Sequence, residues 1–187
     1  RPPPIIGDDD MNALLEACRG RLAGGGQRRR NNTGTKLEEF ETHRDTAIVT
    51  MLRWSGVRAA EIMGLAVADV NLDASTFTVV GKGNRIRTLA LVPESASAVD
   101  RYLRTRRRHQ HADHPALWIG RKGPMSSSGL RQLLERRCAD AGIEPINPHR
   151  FRHTFAHAAK VRGMSDEGLM QVAGWQSPQM LHRYGRA

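Results

Sequence analysis

Cysteine is scarce in this sequence, and long apolar runs are missing. The 187 residues include 2 cysteines, Cys18 and Cys138, at no motif spacing. They provide no disulfide framework, which argues against a small disulfide-stapled secreted domain and favours a reducing compartment. No apolar run approaches the roughly 20 residues of a membrane span, and the first residues contain no hydrophobic signal-peptide core. Neither a membrane protein nor an exported protein is therefore expected.

An initiator methionine is also missing, since the chain begins RPPPIIGDDD. This start predicts a piece of a longer protein with neighbouring domains elsewhere. Apolar residues make up 39% and charged residues 26% of the chain, as in ordinary globular proteins. Its length suits one domain with a sizeable core, so residues 1–187 are expected to form a single domain. The Gly-rich, basic stretch 24–36 is predicted to be a flexible loop, either a solvated connector or a DNA-contacting arm.

Negative charge is in deficit along the chain. Lysine and arginine number 29 against 19 aspartate and glutamate residues, giving a net charge of +10, with arginine-rich runs at 28–30 and 104–108. A chain this basic most often binds nucleic acid, because neutralising phosphates releases condensed counterions. The same charge also fits colloidal solubility or an arginine-rich codon bias. Charge alone does not distinguish an enzyme from a DNA-binding module.

Hydrophobic periodicity predicts a mainly α fold with one small antiparallel β-sheet (α+β). Two β-rich runs, 75–80 and 85–92, flank the turn sequence GKGN and predict a hairpin. LWIG, residues 117–120, predicts a further short strand. Serine, asparagine and proline mark helix starts, and glycine marks helix ends. The predicted helices cover 8–23, 37–54, 57–65, 93–108, 126–142, 148–163, 165–174 and 177–184.

Three histidines recur at four-residue spacing in PHRFRHTFAH, residues 148–157. On a helix, His149, His153 and His157 share one face. Such a face fits a metal site, a phosphate site or a polar surface without chemistry. These residues alone leave the three possibilities open.

Seven polar residues in chain order resemble the catalytic domain of tyrosine recombinases, the phage integrase family. The order is an arginine with a glutamate three residues on, a hairpin lysine, H-x-x-R, and a tryptophan nine residues before a tyrosine. Each piece alone has a simpler explanation as a surface pair, a turn residue or core packing, but the ordered set is specific and spans nearly the whole chain. The residues are Arg58, Glu61, Lys82, His149, Arg152, Trp175 and Tyr184.

The resemblance implies DNA breaking and rejoining without a cofactor. Tyr184 is then the nucleophile that forms a 3′-phosphotyrosyl link, which a 5′-hydroxyl later displaces. Arg58 and Arg152 grip the non-bridging oxygens, because a guanidinium stays ionised and binds bidentately. Lys82 protonates the departing 5′-oxygen.

The remaining three residues have supporting or proton-transfer roles under the same resemblance. His149 accepts a proton from the phenol or donates one to an oxygen. Trp175, the less common family choice at its position, donates a single indole N–H and performs no acid–base chemistry. Glu61 orients Arg58 or His149.

In this context the histidine face is interpreted as a phosphate site. Arg150 and Arg152 would repel a metal cation, and no Asp, Glu or Cys follows at ligand spacing, so no metal is expected. We interpret His149 as catalytic, His153 as packing or a supporting hydrogen bond, and His157 as structural.

The expected partner is double-stranded DNA carrying a recombination site, without membrane association. The resemblance also implies a homotetramer on DNA in the full-length protein, an N-terminal DNA-binding domain outside this chain, and a cytoplasmic, nucleoid-associated protein of a bacterium or phage. The predicted DNA-contacting residues are Arg85, Arg87, Arg106, Arg107 and Arg150.

Three other functions are alternatives to recombination. A type-IB topoisomerase uses similar arginine, lysine and tyrosine chemistry, but the short chain and HRFRHTF favour a recombinase. A DNA-binding regulator without activity predicts a broken catalytic set, whereas here every position is filled. A metal-dependent nuclease needs clustered carboxylates, which the sequence does not provide.

Overall fold

The computed structural model describes residues 4–20, 35–175, 179 and 181, with 35 and 36 as backbone only. Most of the predicted loop 24–36 lies outside these residues, and its last two positions already belong to a helix. Of the predicted helix 177–184, only Gln179 and Leu181 are described, and both are helical. Tyr184 lies outside the described residues.

Helices dominate the described chain, as the sequence predicts, and a small antiparallel sheet accompanies them. The first helix ends at Cys18 rather than at residue 23, and a left-handed Gly20 follows it. The helices are α1 (Asp8–Cys18), α2 (Thr35–Ser55), α3 (Ala59–Met63), α4 (Pro93–Arg106), α5 (Ser127–Ala141), α6 (Pro148–Val161) and α7 (Asp166–Ala173). The strands are β1 (Val70–Asn71), β2 (Thr76–Gly81), β3 (Arg85–Ala90), β4 (Ile119–Gly120) and β5 (Gly123–Pro124).

Side-chain caps begin the last three of these helices where the sequence predicts them. Ser126, Asn147 and Ser165 each accept a hydrogen bond from the backbone N–H three residues on. Each cap satisfies a donor that the first helical turn leaves without a partner. Gly142 and Gly174 end α5 and α7 in the left-handed conformation that glycine adopts without a steric penalty.

The predicted hairpin forms between β2 and β3, with Gly81 opposite Arg85. Gly83 and Asn84 in its turn both have positive φ, which these two residue types tolerate better than others. Successive side chains alternate between a buried face, which includes Phe77, and a solvent face. The turn therefore holds Lys82 at an exposed tip.

One main apolar core joins α1, α2, α4, α5 and the sheet. Trp118 is fully buried in it and donates its indole N–H to the carbonyl of Ile62. A smaller cluster between α6 and α7 contains Trp175 and Leu181. In the described part of the chain, no helix is both long and apolar enough to cross a membrane.

A fully buried carboxylate, Asp45, joins three arginines at the centre of the fold. Arg44 donates to its Oδ1 at 2.8 and 2.9 Å, and Arg137 donates to Oδ2 at 2.8 Å. Arg136 reaches the same oxygen at 3.4 Å from a half-exposed position. Arg44 also donates to the carbonyl of Ile119, so the cluster connects α2 with α5 and β4.

The DNA-contact prediction for Arg106 is wrong. This residue is 6% exposed, and its guanidinium donates to the carbonyls of Leu117, Ala112, His114 and Ala116 at 2.6–3.1 Å. A buried guanidinium needs such acceptors because its desolvation is costly. Arg106 therefore holds the irregular chain after α4 in place, whereas its neighbour Arg107 is exposed.

Asp45→Asn should lower the free energy of unfolding by about 3–5 kcal/mol, since it leaves buried guanidiniums without their counter-charge. The matched control is Asp100→Asn, whose carboxylate pairs with Arg104 at the surface. That change should cost less than about 1 kcal/mol. Urea titrations of both variants measure the difference, and equal losses would contradict the central role of Asp45.

Candidate active site

A cationic cleft lies between the β2–β3 hairpin and the end of α7. Its volume is about 1020 Å³, and four of its lining side chains carry positive charge. It contains three residues predicted to be catalytic and two predicted to contact DNA. Its lining residues are Arg58, Gly81, Lys82, Arg85, Ile86, Arg87, Thr88, Leu89, Met170, Gln171, Val172, Gly174 and Trp175.

Arg58 occupies the N-cap position of α3, where Glu61 fixes it from two directions. Oε2 of Glu61 accepts the backbone N–H of Arg58 at 2.8 Å, and Oε1 accepts Nη1 of the same residue at 2.8 Å. Nη2 of Arg58 donates to the carbonyl of Gly174 at 3.3 Å. The side chain of Arg58 stays 36% exposed, so a guanidinium held on one side still faces the cleft.

Glu61 also accepts two hydrogen bonds from Arg87, one on each oxygen, at 3.2 and 3.0 Å. Burial alone would raise the pKa of Glu61, but the bonds from Arg87 and Arg58 outweigh burial and hold it below its ordinary value. Glu61 is therefore an anion shared by two arginines. Glu61 was expected to orient either Arg58 or His149, and the structure shows it in contact with Arg58.

Arg152 lies behind the cleft and is 4% exposed. It donates to the carbonyls of Gly56 and Ala173, both at 2.6 Å, and its guanidinium lies 5.1 Å from the ring centre of Trp175. Arg152 thus connects the loop before α3 with the end of α7. Direct phosphate contact by Arg152 stays a prediction.

The three histidines of α6 differ in environment. His149 is exposed in the first turn, His153 is buried, and His157 is half-buried. Desolvation of the ring and the positive charge of Arg152 lower the pKa of His149, so its imidazole is neutral at neutral pH. Desolvation similarly lowers the pKa of His153, with further contributions from the other two histidines.

The structure brings most of the predicted site residues together. Arg58, Lys82 and Trp175 line one cleft, while Glu61 and Arg152 contact it from behind. His149 does not line the cleft, but it lies one helical turn before Arg152. Tyr184 lies outside the described residues.

The predicted DNA-contacting arginines divide into several groups. Arg85 is exposed in the cleft, whereas Arg87 is turned inward against Glu61. Arg107 is exposed at the end of α4, outside the cleft lining. Arg150 donates to the carbonyls of Pro4 and Ile5 and holds the N-terminal segment on α6. Contact of these residues with DNA stays a prediction.

Sequence reasoning missed the partnership of Arg87 with Glu61 and the role of Gly174. The alternation of β3 could have revealed the partnership of Arg87 with Glu61. Arg87 lies two residues from the buried Leu89 and therefore on the same face of the strand. Gly174 was predicted only as part of a helix end. Its carbonyl is an acceptor for Arg58, and no periodicity reveals such a contact.

Metal ligands are not grouped at this site. Among the described residues, no three His, Cys, Asp or Glu side chains lie close enough together to hold an ion. The first acidic residues that follow the histidine face begin α7, and one of them, Asp166, pairs with Lys160.

The sequence model of the phage integrase family matches residues 28–187. The chain belongs to this family. The match includes every residue of the ordered set, from Arg58 to Tyr184, and confirms the resemblance on which the site was predicted.

Curated relatives of the chain include tyrosine recombinases. The tyrosine recombinase XerC of Corynebacterium glutamicum is 29% identical over 183 residues, covering 97% of this chain and 54% of that protein. The tyrosine recombinase XerC of Alcanivorax borkumensis is 34% identical over 159 residues, covering 83% and 47%. The chain thus spans about half the length of these relatives.

Solved structures of recombinases share the fold. The crystal structure of XerA recombinase superposes with a TM-score of 0.82 at 25% identity, over 100% of this chain and 60% of that one. The XerH site-specific recombinase, solved with its difH substrate before cleavage, gives a TM-score of 0.78 at 19% identity over 100% and 51%. The predicted fold, that of a tyrosine recombinase catalytic domain, is confirmed.

If His149 accepts the phenol proton, DNA cleavage should require its neutral imidazole. Because its pKa is lowered, the rate should be flat near neutral pH and fall only below the ordinary histidine value of about 6.5. His149→Asn should be slower and should lose this acid limb, as single-turnover cleavage measured from pH 5 to 8 will reveal. His157→Asn, on the same helix, should keep the wild-type profile. An unchanged acid limb in His149→Asn would assign the titration to another group.

Proposed function

We propose that this chain is the catalytic part of a site-specific DNA recombinase that breaks and rejoins DNA through a 3′-phosphotyrosyl intermediate. The observation that carries the proposal is the convergence of Arg58, Lys82 and Trp175 on one cationic cleft. These residues come from three separated parts of the chain, in the order that the family uses. No cofactor is needed, because the phosphotyrosyl bond keeps the energy of the broken phosphodiester.

The charges of the cleft suit a phosphoryl-transfer transition state. Negative charge on the non-bridging oxygens is best stabilised by donors that are fixed before the reaction begins. Arg58 meets this requirement, since Glu61 and the carbonyl of Gly174 hold it while part of the guanidinium faces the cleft. Arg152, braced by two carbonyls beside Trp175, is proposed as the second cationic group of the site.

The environment of the other tyrosine supports Tyr184 as the nucleophile. The chain has 2 tyrosines, and Tyr102 is fully buried. Its hydroxyl donates to the carbonyl of Leu117 at 2.8 Å, and burial raises its pKa. A phenol in that position cannot reach DNA. Tyr184, nine residues after a tryptophan of the cleft, is therefore assigned the attack.

Lys82 is proposed as the general acid. Its position at an exposed hairpin tip on the cleft wall lets a long, flexible ammonium reach the oxygen that leaves. Trp175 is proposed as a phosphate ligand, and His149 as the group that takes the phenol proton.

The partner is proposed to be double-stranded DNA carrying a recombination site, in a homotetramer formed by the full-length protein. The basic composition and the exposed Arg85 and Arg107 favour such a surface. A protein with this activity would act on the nucleoid or on phage DNA in the bacterial cytoplasm.

Tyr184→Phe should abolish covalent protein–DNA adducts while leaving DNA binding nearly intact, because only the phenol oxygen is lost. The full-length protein is incubated with fragments of its source genome and denatured, and the attached DNA is sequenced. Tyr102→Phe is the matched control: it should lower stability through the lost bond to Leu117 but keep adduct formation by the folded protein. Wild-type adduct levels in Tyr184→Phe would remove this residue from the role.

Lys82→Ala should slow cleavage by about 10²- to 10⁴-fold, the usual contribution of a general acid. The defect should largely disappear on a duplex whose bridging 5′-oxygen is replaced by sulfur, because a thiolate leaves without protonation. Arg58→Ala should stay impaired on both duplexes. The comparison uses single-turnover cleavage rates of each variant on both duplexes. Both duplexes contain the site identified by sequencing the attached DNA.

The control for Lys82 is Lys122, another exposed lysine in a hairpin turn but outside the cleft lining. Lys122→Ala should cleave both duplexes at the wild-type rate. Equal cleavage defects of Lys82→Ala on the ordinary and the sulfur-containing duplex would contradict the general-acid assignment. Lys82 would then be a contact to the DNA backbone.

A further inference from the structure

We infer that Arg87 is a positioning residue for cleavage, which acts on the scissile phosphate through Glu61 and Arg58. The inference rests on the proposed function, and it replaces the expectation that Arg87 contacts DNA directly. Three observations support it: the pairing of Arg87 with Glu61, its packing against glycines on two elements, and the distribution of charge around Glu61.

The pairing is bidentate and largely removed from solvent. Nη1 and Nη2 of Arg87 each donate to a different oxygen of Glu61, and the two side chains are 12% and 4% exposed. Nε of Arg87 is buried without a hydrogen-bond partner in the described structure. The carboxylate of Glu61 therefore holds this guanidinium, unlike Arg106 and Arg152, which backbone carbonyls hold.

The guanidinium fills space that only glycine leaves free. A Cβ at Gly174 would lie 2.4 Å from Nη1 and 2.7 Å from Cζ of Arg87. A Cβ at Gly81 would lie 2.9 Å from Nη1 and 3.1 Å from Oε1 of Glu61. Gly174 precedes Trp175 and accepts from Arg58, while Gly81 precedes Lys82. One guanidinium thus sets the spacing between the cleft groups of α3, the hairpin and the end of α7.

Charge sharing gives Arg87 a second effect on Arg58. Glu61 carries one negative charge and accepts four hydrogen bonds, two from each arginine. The group of three side chains has a net charge of +1. Without Arg87, the carboxylate would neutralise Arg58 alone, and the cleft would lose the positive charge that attracts a phosphate.

The test uses the full-length protein and two duplexes containing its captured site. One duplex has the ordinary scissile phosphate, and the other has a methylphosphonate there, in which a methyl group replaces one non-bridging oxygen and the linkage carries no charge. Arg87→Met keeps a long side chain but removes the charge and the donors. On the ordinary duplex it should cleave about 10²-fold more slowly at saturating DNA, the scale expected for a misplaced catalytic group.

On the methylphosphonate, relative to wild type on the same duplex, that defect should shrink by at least about tenfold, because less charge needs stabilising. Arg58→Ala should improve in parallel, since both residues act on the same oxygens. Arg85→Met is the matched control: it removes an exposed arginine of the same strand and cleft that is not bonded to Glu61. Its defect should be equal on the two duplexes and confined to DNA affinity.

Four results would overturn the inference. Equal cleavage defects of Arg87→Met on both duplexes, with a lowered unfolding midpoint, would make Arg87 a structural residue. A defect in affinity alone, with an unchanged rate at saturation, would return it to direct DNA contact. If the wild type forms no covalent adduct on either duplex, the proposed function fails and this inference fails with it. Wild-type cleavage with an unimpaired Arg87→Met would reject the inference alone.

Discussion

The sharing of one buried carboxylate among several arginines is the interaction on which both the fold and the site depend. Asp45 joins three arginines in the core, and Glu61 joins two beside the cleft. A chain with 29 basic and 19 acidic residues cannot give each cation its own partner. Where arginines are buried, a shared anion lowers the desolvation cost, and the excess positive charge remains in the neighbourhood.

Backbone carbonyls are the second kind of partner for arginines in a chain that has too few carboxylates. Arg106 and Arg152 are both buried, and both donate hydrogen bonds to carbonyl oxygens of irregular chain or helix ends. A carbonyl offers an acceptor without neutralising the charge. Carbonyl oxygens thus hold Arg152 beside Trp175, whereas the carboxylate of Glu61 holds Arg58 and partly balances its charge. The fold thus holds two guanidiniums around the same site with two different kinds of acceptor.

Local patterns predicted the elements, and they did so for physical reasons that act over a few residues. The hairpin around Lys82 and the helix start at Asn147 depend on turn and capping chemistry, which short stretches contain in full. Whether an arginine is buried or exposed, and which group it binds, depends on partners far along the chain. Arg106 looked like part of a basic run, and only tertiary packing reveals its carbonyl partners. The ordered set predicted which residues belong to the site, but not that Arg87 lies between them.

The glycines beside the cleft explain why distant segments can meet at one guanidinium. Gly81 and Gly174 each lack the side-chain atom that would displace Arg87, and Gly174 also needs its positive φ to end α7. Substitution at Gly174 is therefore opposed twice, by backbone strain and by the close approach of a side chain that its pairing with Glu61 holds in place. Helix termination and the packing of the Arg87 guanidinium therefore depend on one residue, which also precedes Trp175 and accepts a hydrogen bond from Arg58.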